Sequence, residues 1–255
     1  MLHVVKMGGS LIEDEFLLKN FLNNFHKLRG SKILIHGGGK YASFLSKRLG
    51  LDPKITEGRR ITNTKTLEIL ILSYAGLLNK ELVASLEGFG TNALGLSGVD
   101  GNLICSIRRY VKTINYGHVG DFNKESINIK DIYSILQLNY VPVFCAITHD
   151  TKGHLLNTNA DTIASSIAIY MNEIEEIYLH YCFEKKGLLS DLEDANSYYT
   201  NINIETFYTF RIVHHGMNPK LGNAFYALKK GVRTVGIQHS SSDFRKMTDK
   251  TLFYS

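Results

Sequence analysis

Two glycine-rich segments, each following a short apolar run, carry the residues best suited to anion chemistry: Lys6-Met7-Gly8-Gly9-Ser10 and Ile35-His36-Gly37-Gly38-Gly39-Lys40. A glycine pair at the end of a strand lets the backbone approach a ligand closely and point N–H groups at it. A neighbouring lysine adds a compact positive charge suited to phosphate. Short glycine turns are common, so the first segment also reads as a tight strand-to-helix turn. Three consecutive glycines give up much backbone entropy, which a plain turn has less reason to keep. Successive free N–H groups at a helix start form an anion site. The second segment is not a P-loop, because Gly39-Lys40 is followed by Tyr41 and no glycine stands five residues before Gly39. Gly37, Gly39 and Ala42 do match a G-x-G-x-x-A dinucleotide fingerprint. That fold needs an apolar second strand and then an acidic residue. The polar, proline-containing stretch from Leu51 to Arg60 argues against that strand and leaves the fingerprint incomplete.

Three further segments could act on anions. In Gly58-Arg59-Arg60-Ile61-Thr62 an arginine can clamp a carboxylate through two parallel bonds. Two solvated surface arginines are the plainer reading of the same residues. Leu156-Asn157-Thr158-Asn159-Ala160-Asp161 opens an Ala/Ile-rich segment. Asn or Asp at a helix start usually caps it, yet two asparagines and an aspartate together also offer amide donors and a carboxylate able to orient lysines. In Gly216-Met217-Asn218-Pro219-Lys220-Leu221 the proline rigidifies the approach of Lys220. No metal site is indicated: His214-His215 are adjacent, there is no H-E-x-x-H, and His149 and His154 lack a carboxylate at useful spacing. Gly95-Leu96-Ser97-Gly98 does not fit the hydrolase G-x-S-x-G.

The elements that must hold these residues alternate. Apolar runs predict strands at Leu2–Lys6, Lys32–His36, Asn92–Leu96, Val141–Ala146, Ile177–Tyr181, Arg211–Val213 and Thr234–Ile237. Helical spacing runs from Leu18 to Leu28 after Glu13-Asp14-Glu15, through 64–87 (opened by Thr64, closed by Gly88), and over Asp161–Tyr170 and Gly222–Lys230. Such alternation predicts an α/β fold with an open, mostly parallel central sheet sandwiched by helices. Leu103–Ile107 and Tyr110–Ile114 read as a two-strand excursion, and 184–203 as loop-rich. A lobe boundary falls near Asn172–Glu175.

Composition narrows the class. The chain has 255 residues, 44% hydrophobic and 21% charged, as in an ordinary globular enzyme. The net charge of +5 is carried by isolated basic pairs such as Arg59-Arg60 and Lys229-Lys230, without the stripe that nucleic acid requires. Cys105, Cys145 and Cys182 are far apart and odd in number, which fits a reducing compartment. The opening residues lack the apolar core of a signal peptide. The apolar run Val141–Ile147 is too short to span a bilayer. A cytoplasmic protein with anionic ligands, and without nucleic-acid or membrane partners, is expected.

Taken in order, these motifs resemble the amino-acid kinase family, in its branch that phosphorylates acylated glutamate, over nearly the whole chain. Lys6-Met7-Gly8-Gly9 resembles K-x-G-G, His36-Gly37-Gly38-Gly39 H-G-G-G, and Gly58–Thr62 the G-x-R-x-T clamp. Asn157–Asp161 resembles N-x-N-A-D and Gly216–Lys220 G-G-M-x-x-K; Ser97–Gly101 and His118–Gly120 also stand in their expected places. The resemblance implies a three-layer sandwich with an acylamino-acid-binding and dimerisation lobe, 1–172, and a nucleotide-binding lobe, 173–255. It implies transfer of a phosphoryl group from ATP, with Mg²⁺, to the γ-carboxylate of N-acetyl-L-glutamate, the second step of arginine biosynthesis. N-succinyl-L-glutamate and a non-catalytic ligand-binding regulator are the alternatives. By the same resemblance Lys6, Lys220 and Asp161 are catalytic, and Gly38, Gly39, Arg60 and Asn157 bind the substrate. Gly8 and Gly9 hold phosphate, and Tyr181, Lys185, Gly187 and His214 serve the nucleotide. Two departures fall on the nucleotide side. The family's T/S-D-V-x-G turn lacks its aspartate in Tyr178–Gly187, and His215 stands where glycine or aspartate is common. Arginine-regulated members carry an extra helix before the first strand, so a homodimer without arginine feedback is expected.

Overall fold

A computed structural model describes residues 1–123, 126–184, 186–189, 191, 193–194, 197–203, 218–244 and 250–254, and the side chains of all of these but 218–220. In chain order the strands are β1 (Leu2–Met7), β2 (Ser31–His36), β3 (Ile55–Thr56), β4 (Arg59–Arg60), β5 (Ala93–Leu96), β6 (Ile107–Arg108), β7 (Val119–Asp121), β8 (Val141–Cys145), β9 (Ile147–His149), β10 (Leu155–Thr158), β11 (Ile177–Phe183), β12 (Asn201–Asn203), β13 (Thr234–His239) and β14 (Lys250–Tyr254). The α-helices are α1 (Glu15–Lys27), α2 (Gly39–Arg48), α3 (Thr64–Leu70), α4 (Asn79–Gly88), α5 (Ile129–Gln137), α6 (Ala160–Met171) and α7 (Asn218–Lys229). The chain packs as two compact units, Met1–Leu34 with Ala164–Ser255, and Ile35–Ile163. Both are α/β, with sheet strands flanked by helices, as the alternation of the sequence predicts.

In the first unit β1 pairs in parallel with β11, from Leu2 opposite Ile177 to Met7 opposite Cys182. On its other side β11 pairs in parallel with β13. β14 then runs antiparallel to β13 and parallel to β12. Every residue of β1 and β11 is buried, which is why both read as near-continuous apolar runs. Helix α1 starts where the Asp14 carboxylate accepts the Leu17 N–H at 2.9 Å. It ends where Lys32 Nζ collects the carbonyls of Phe25, His26 and Leu28 at 2.7–2.9 Å. The strand expected at Arg211–Val213 lies outside the described residues. β12 falls in the segment expected to be loop, because three polar-flanked residues give no periodicity to read.

The second unit pairs β5 with β8 in parallel, with α4 packed on both strands and α5 on β8. A small sheet runs β6-β7-β10-β9, and β3 and β4 form a hairpin. Of the two-strand excursion only its first part is strand. Residues 110–114 turn back on themselves through a Val111–Ile114 bridge, and Tyr110 is exposed. The apolar Tyr110 and Val111 therefore mimic a strand that the Lys112-Thr113 turn interrupts. The helical stretch Thr64–Gly88 is capped one residue earlier than expected, by Asn63 Oδ1 on the Thr66 N–H at 2.9 Å. It contains a π-helical segment, Ile71–Leu78, between α3 and α4. By length and composition it is a helix long and apolar enough to cross a membrane; here Leu67, Leu70, Leu82 and Leu86 are buried in the protein core.

Three buried histidines set the acid limit of the fold. His3 and His36 are pushed down to about 4 by burial, His3 also by the N-terminus, Lys32 and Lys250. Burial, then His3 and Lys250, hold His180 well below 6.5. Unfolded histidine titrates near about 6.5, so on acidification the unfolded chain binds protons first. Their contribution is complete above that value and falls as pH drops toward the folded values. The denaturant midpoint should be lower at about pH 5 than at about pH 7.5; equal midpoints would mean that these rings are not buried neutral.

Candidate active site

The second unit builds a corner of glycines and one arginine from the end of β2, the start of α2 and the β3–β4 hairpin. Gly38 adopts φ +149° and caps α2; a Cβ there would lie 2.4 Å from Leu78 Cδ1 and 2.9 Å from Tyr74 Cδ1. Only glycine fits both the backbone angle and the space. The hairpin turns through Glu57 (φ 51°) and Gly58 (φ 74°), both left-handed, as a two-residue turn of this hand requires. Gly58 of the arginine motif is therefore the turn residue that delivers Arg60.

Arg60 is only 9% exposed. Its Nη2 donates to the Gly39 carbonyl at 2.9 Å and to Ser43 Oγ at 2.7 Å. Among the described residues its Nη1 is buried without a hydrogen-bond partner, and no carboxylate lies within ion-pair distance. A buried, unsatisfied cationic donor is expensive, so Nη1 is left in need of an acceptor. The solvated-arginine reading fails for Arg60 and suits Arg59 better, whose Nη1 lies 3.7 Å from the Asp121 carboxylate. Tyr74 closes the same corner; burial pushes its hydroxyl up to about 12 despite the nearby Arg60 charge.

Asn157 lies on β10 and not in a helix cap. Its Nδ2 donates to Thr62 Oγ1 at 3.0 Å, and Thr62 Oγ1 donates to the Arg60 carbonyl at 2.9 Å. Thr62 is held in turn by Gly117, where a Cβ would stand 2.2 Å from the Thr62 carbonyl oxygen. The cap of α6 is Asn159, whose Oδ1 accepts the N–H groups of Asp161 (2.8 Å) and Thr162 (3.1 Å). Asp161 thus sits in the first turn of α6, and a Cβ on Gly37 would lie 3.8 Å from Ala160 Cβ. Gly38, Gly39, Arg60 and Asn157 are brought together through these bonds.

The first unit holds Lys6, Gly8, Gly9, Tyr181 and Gly187. Lys6 is 7% exposed on β1, opposite Tyr181 in the ladder. Gly8 is forced by a close approach: a Cβ would lie 2.8 Å from the Cys182 carbonyl oxygen. The N–H of Gly8, expected to face phosphate, instead donates to that carbonyl at 2.8 Å. Gly9 begins a 3-10 turn, Gly9–Glu13, with nothing within 4 Å of where its Cβ would be. The Tyr181 side chain is fully buried. Gly187 packs on Thr251, whose Oγ1 would be 2.3 Å from a Cβ. Lys220 falls in the first turn of α7, its side chain outside the description, and Lys185 and His214 lie outside the described residues. Among the described residues no group of three or more His, Cys, Asp or Glu side chains is arranged to hold a metal ion. Sequence reasoning missed Ser43, Tyr74 and Asn79. Ser43 stands four residues after Gly39, one helical turn on, which was the available signal. Tyr74 and Asn79 gave none, because the π segment breaks the 3.6-residue period.

The model of the amino acid kinase family matches residues 1–239. The chain belongs to the amino acid kinase family. This amino acid kinase is 43% identical over 244 residues to the acetylglutamate kinase of Bacteroides fragilis, covering 94% of this chain and 93% of that one. It is 41% identical over 245 residues to the acetylglutamate kinase of Cytophaga hutchinsonii, covering 94% and 92%. Among solved structures, N-acetylglutamate synthase from Neisseria gonorrhoeae, complexed with coenzyme A and N-acetyl-glutamate, superposes with a TM-score of 0.83 at 17% identity. That likeness, of fold alone, covers 100% of this chain, which spans 59% of the synthase.

Proposed function

We propose that the chain transfers the γ-phosphoryl group of ATP to the γ-carboxylate of N-acetyl-L-glutamate, releasing ADP and an acyl phosphate, as the second step of arginine biosynthesis. One observation supports this most directly. Arg60, buried beside the glycine corner, keeps a guanidinium nitrogen for an acceptor that the described residues do not supply, and the substrate's α-carboxylate is such an acceptor. Identity above 40% to acetylglutamate kinases over almost the whole chain supports the same substrate class.

The attacking γ-carboxylate has an ordinary pKa of about 4.3 and is ionised at neutral pH, so no general base is needed. The barrier is the approach of two anions and the charge spread over the transferring group, which positioning and electrostatics must meet. Lys6 and Lys220 neutralise the phosphoryl oxygens, and Asp161 orients the lysines. Gly9 and Gly38 offer backbone N–H groups, while Gly8 lets the backbone come close. Gly39 and Asn157 hold the acylamino group. Tyr181, Lys185, Gly187 and His214 serve the nucleotide side; the burial of Tyr181 restricts it to its backbone. Mg²⁺ arrives with ATP as part of the substrate and is assigned no protein ligand. Functionally, 1–172 would be the acylamino-acid lobe and 173–255 the nucleotide lobe of a cytoplasmic homodimer, with no nucleic-acid or membrane partner.

Hydroxylamine trapping with Mg·ATP on N-acetyl-L-glutamate, N-succinyl-L-glutamate and free L-glutamate tests the reading. Hydroxamate from the acetyl compound alone is expected. Hydroxamate from the succinyl compound alone would move the substrate assignment. None from any, with folded protein, would leave a ligand-binding regulator.

A further inference from the structure

The glycine corner has no side chains of its own to fix its peptide planes, yet a preorganised N–H donor needs a fixed plane. The structure supplies an anchor from the π-to-α junction. Asn79, buried at the start of α4, gives its backbone N–H to the Tyr74 carbonyl, the long bond of the π segment. Its side chain then reaches three partners. Nδ2 lies 2.8 Å from the Val143 carbonyl and 3.1 Å from His36 Nε2, and Oδ1 lies 3.2 Å from Lys80 Nζ. A carbonyl can only accept and an ammonium can only donate, so these two partners fix which end of the amide is nitrogen. The nitrogen donates, and His36 Nε2 must therefore accept. The imidazole proton is left on Nδ1, which faces the Gly37 carbonyl at 2.8 Å. His36 is fully buried and held neutral, so it keeps a single proton to place.

We infer that Asn79 and His36 form a positioning relay that orients the Gly37–Gly38 peptide and so aims the Gly38 N–H. The peptide is trans, and in a trans peptide the carbonyl and the following N–H point opposite ways. Holding the Gly37 carbonyl toward His36 turns the Gly38 N–H away from it, while Tyr74 and Leu78 pack against Gly38 and stop the plane from rotating. The kinetic consequence rests on the proposed role of Gly38 as a backbone N–H donor to the phosphoryl group; the tautomer does not.

Two readouts test the relay. Nitrogen-15 NMR of the imidazoles in the full chain should show His36 as the Nδ1–H tautomer, and Asn79→Leu should release it into a mixture. An Nε2–H tautomer in the unaltered protein would overturn the relay whatever the activity. In the trapping assay His36→Gln, which keeps a polar group only near the Nε2 position, should lower kcat about tenfold or more, with KM little changed, because a donor acting in the transition state is misaimed. His36→Asn places an amide donor near the Nδ1 position and should restore most of that loss. Equal losses in both variants would make His36 a packing residue and sink the proposal. If the unaltered chain forms no hydroxamate, the proposed reaction fails while the NMR result still decides the relay.

Discussion

Lys6→Ala is expected to lower turnover about 10²–10³-fold, the scale of one removed transition-state donor. The lysine sits nearly buried at the end of an all-buried strand, where a cation acts through a lower dielectric than at the surface. The loss should fall on kcat, because a charge directed at the migrating phosphoryl oxygens is felt most when charge spreads over them. Lys6→Met keeps the apolar stem packed in β1 and removes only the charge, so an equal loss in that variant, at unchanged melting temperature, separates electrostatics from folding. Lys220→Ala should behave alike. Near-normal turnover in Lys220→Ala would remove that lysine from the mechanism and leave Lys6 without its counterpart.

Arg60→Ala should reduce kcat/KM for the acylated amino acid by roughly 30- to 5,000-fold, corresponding to about 2–5 kcal/mol for truncating one partner of a buried, hydrogen-bonded charge pair. KM for ATP should move little. Arg60→Lys should recover only part, since an ammonium cannot hold the Gly39 carbonyl, Ser43 Oγ and a ligand carboxylate in one plane. Steady-state titration of each substrate separates the outcomes. An unchanged KM for the acylated amino acid in Arg60→Ala would reduce Arg60 to a strut for the α2 start.

Much of this was legible because glycines announce geometry. Gly38, Gly58 and Gly8 each occupy a place where a Cβ or an ordinary φ would fail, and the strands that deliver Gly8 and Gly38 are buried runs that read directly as apolar letters; the short polar hairpin around Gly58 gave no such signal. Arg60 and Asn157 were found through their motifs, but their environment was not. Nothing in two adjacent arginines says which one is buried, and Asn157 looks like a helix cap until the β10 ladder claims it and Asn159 takes the cap. The π segment was illegible for a stricter reason: Ile71–Leu78 is apolar nearly all round, so a one-residue change of winding leaves no mark on the pattern. Tyr110–Ile114 failed in the opposite sense, an apolar pair imitating a strand across a turn.

The ladder between residues 2–7 and 177–182 also fixes an order of events on the ribosome. The strand made first has one of its sheet neighbours, β11, more than two thirds of the way along the message. At about 5–20 residues per second, β1 waits on the order of ten to thirty seconds for β11 to emerge. Through that interval a six-residue, largely apolar segment carries an unpaired edge, the kind of segment that pairs with other chains. The intervening unit, Ile35–Ile163, is complete in the nascent chain before β11 appears and can fold first.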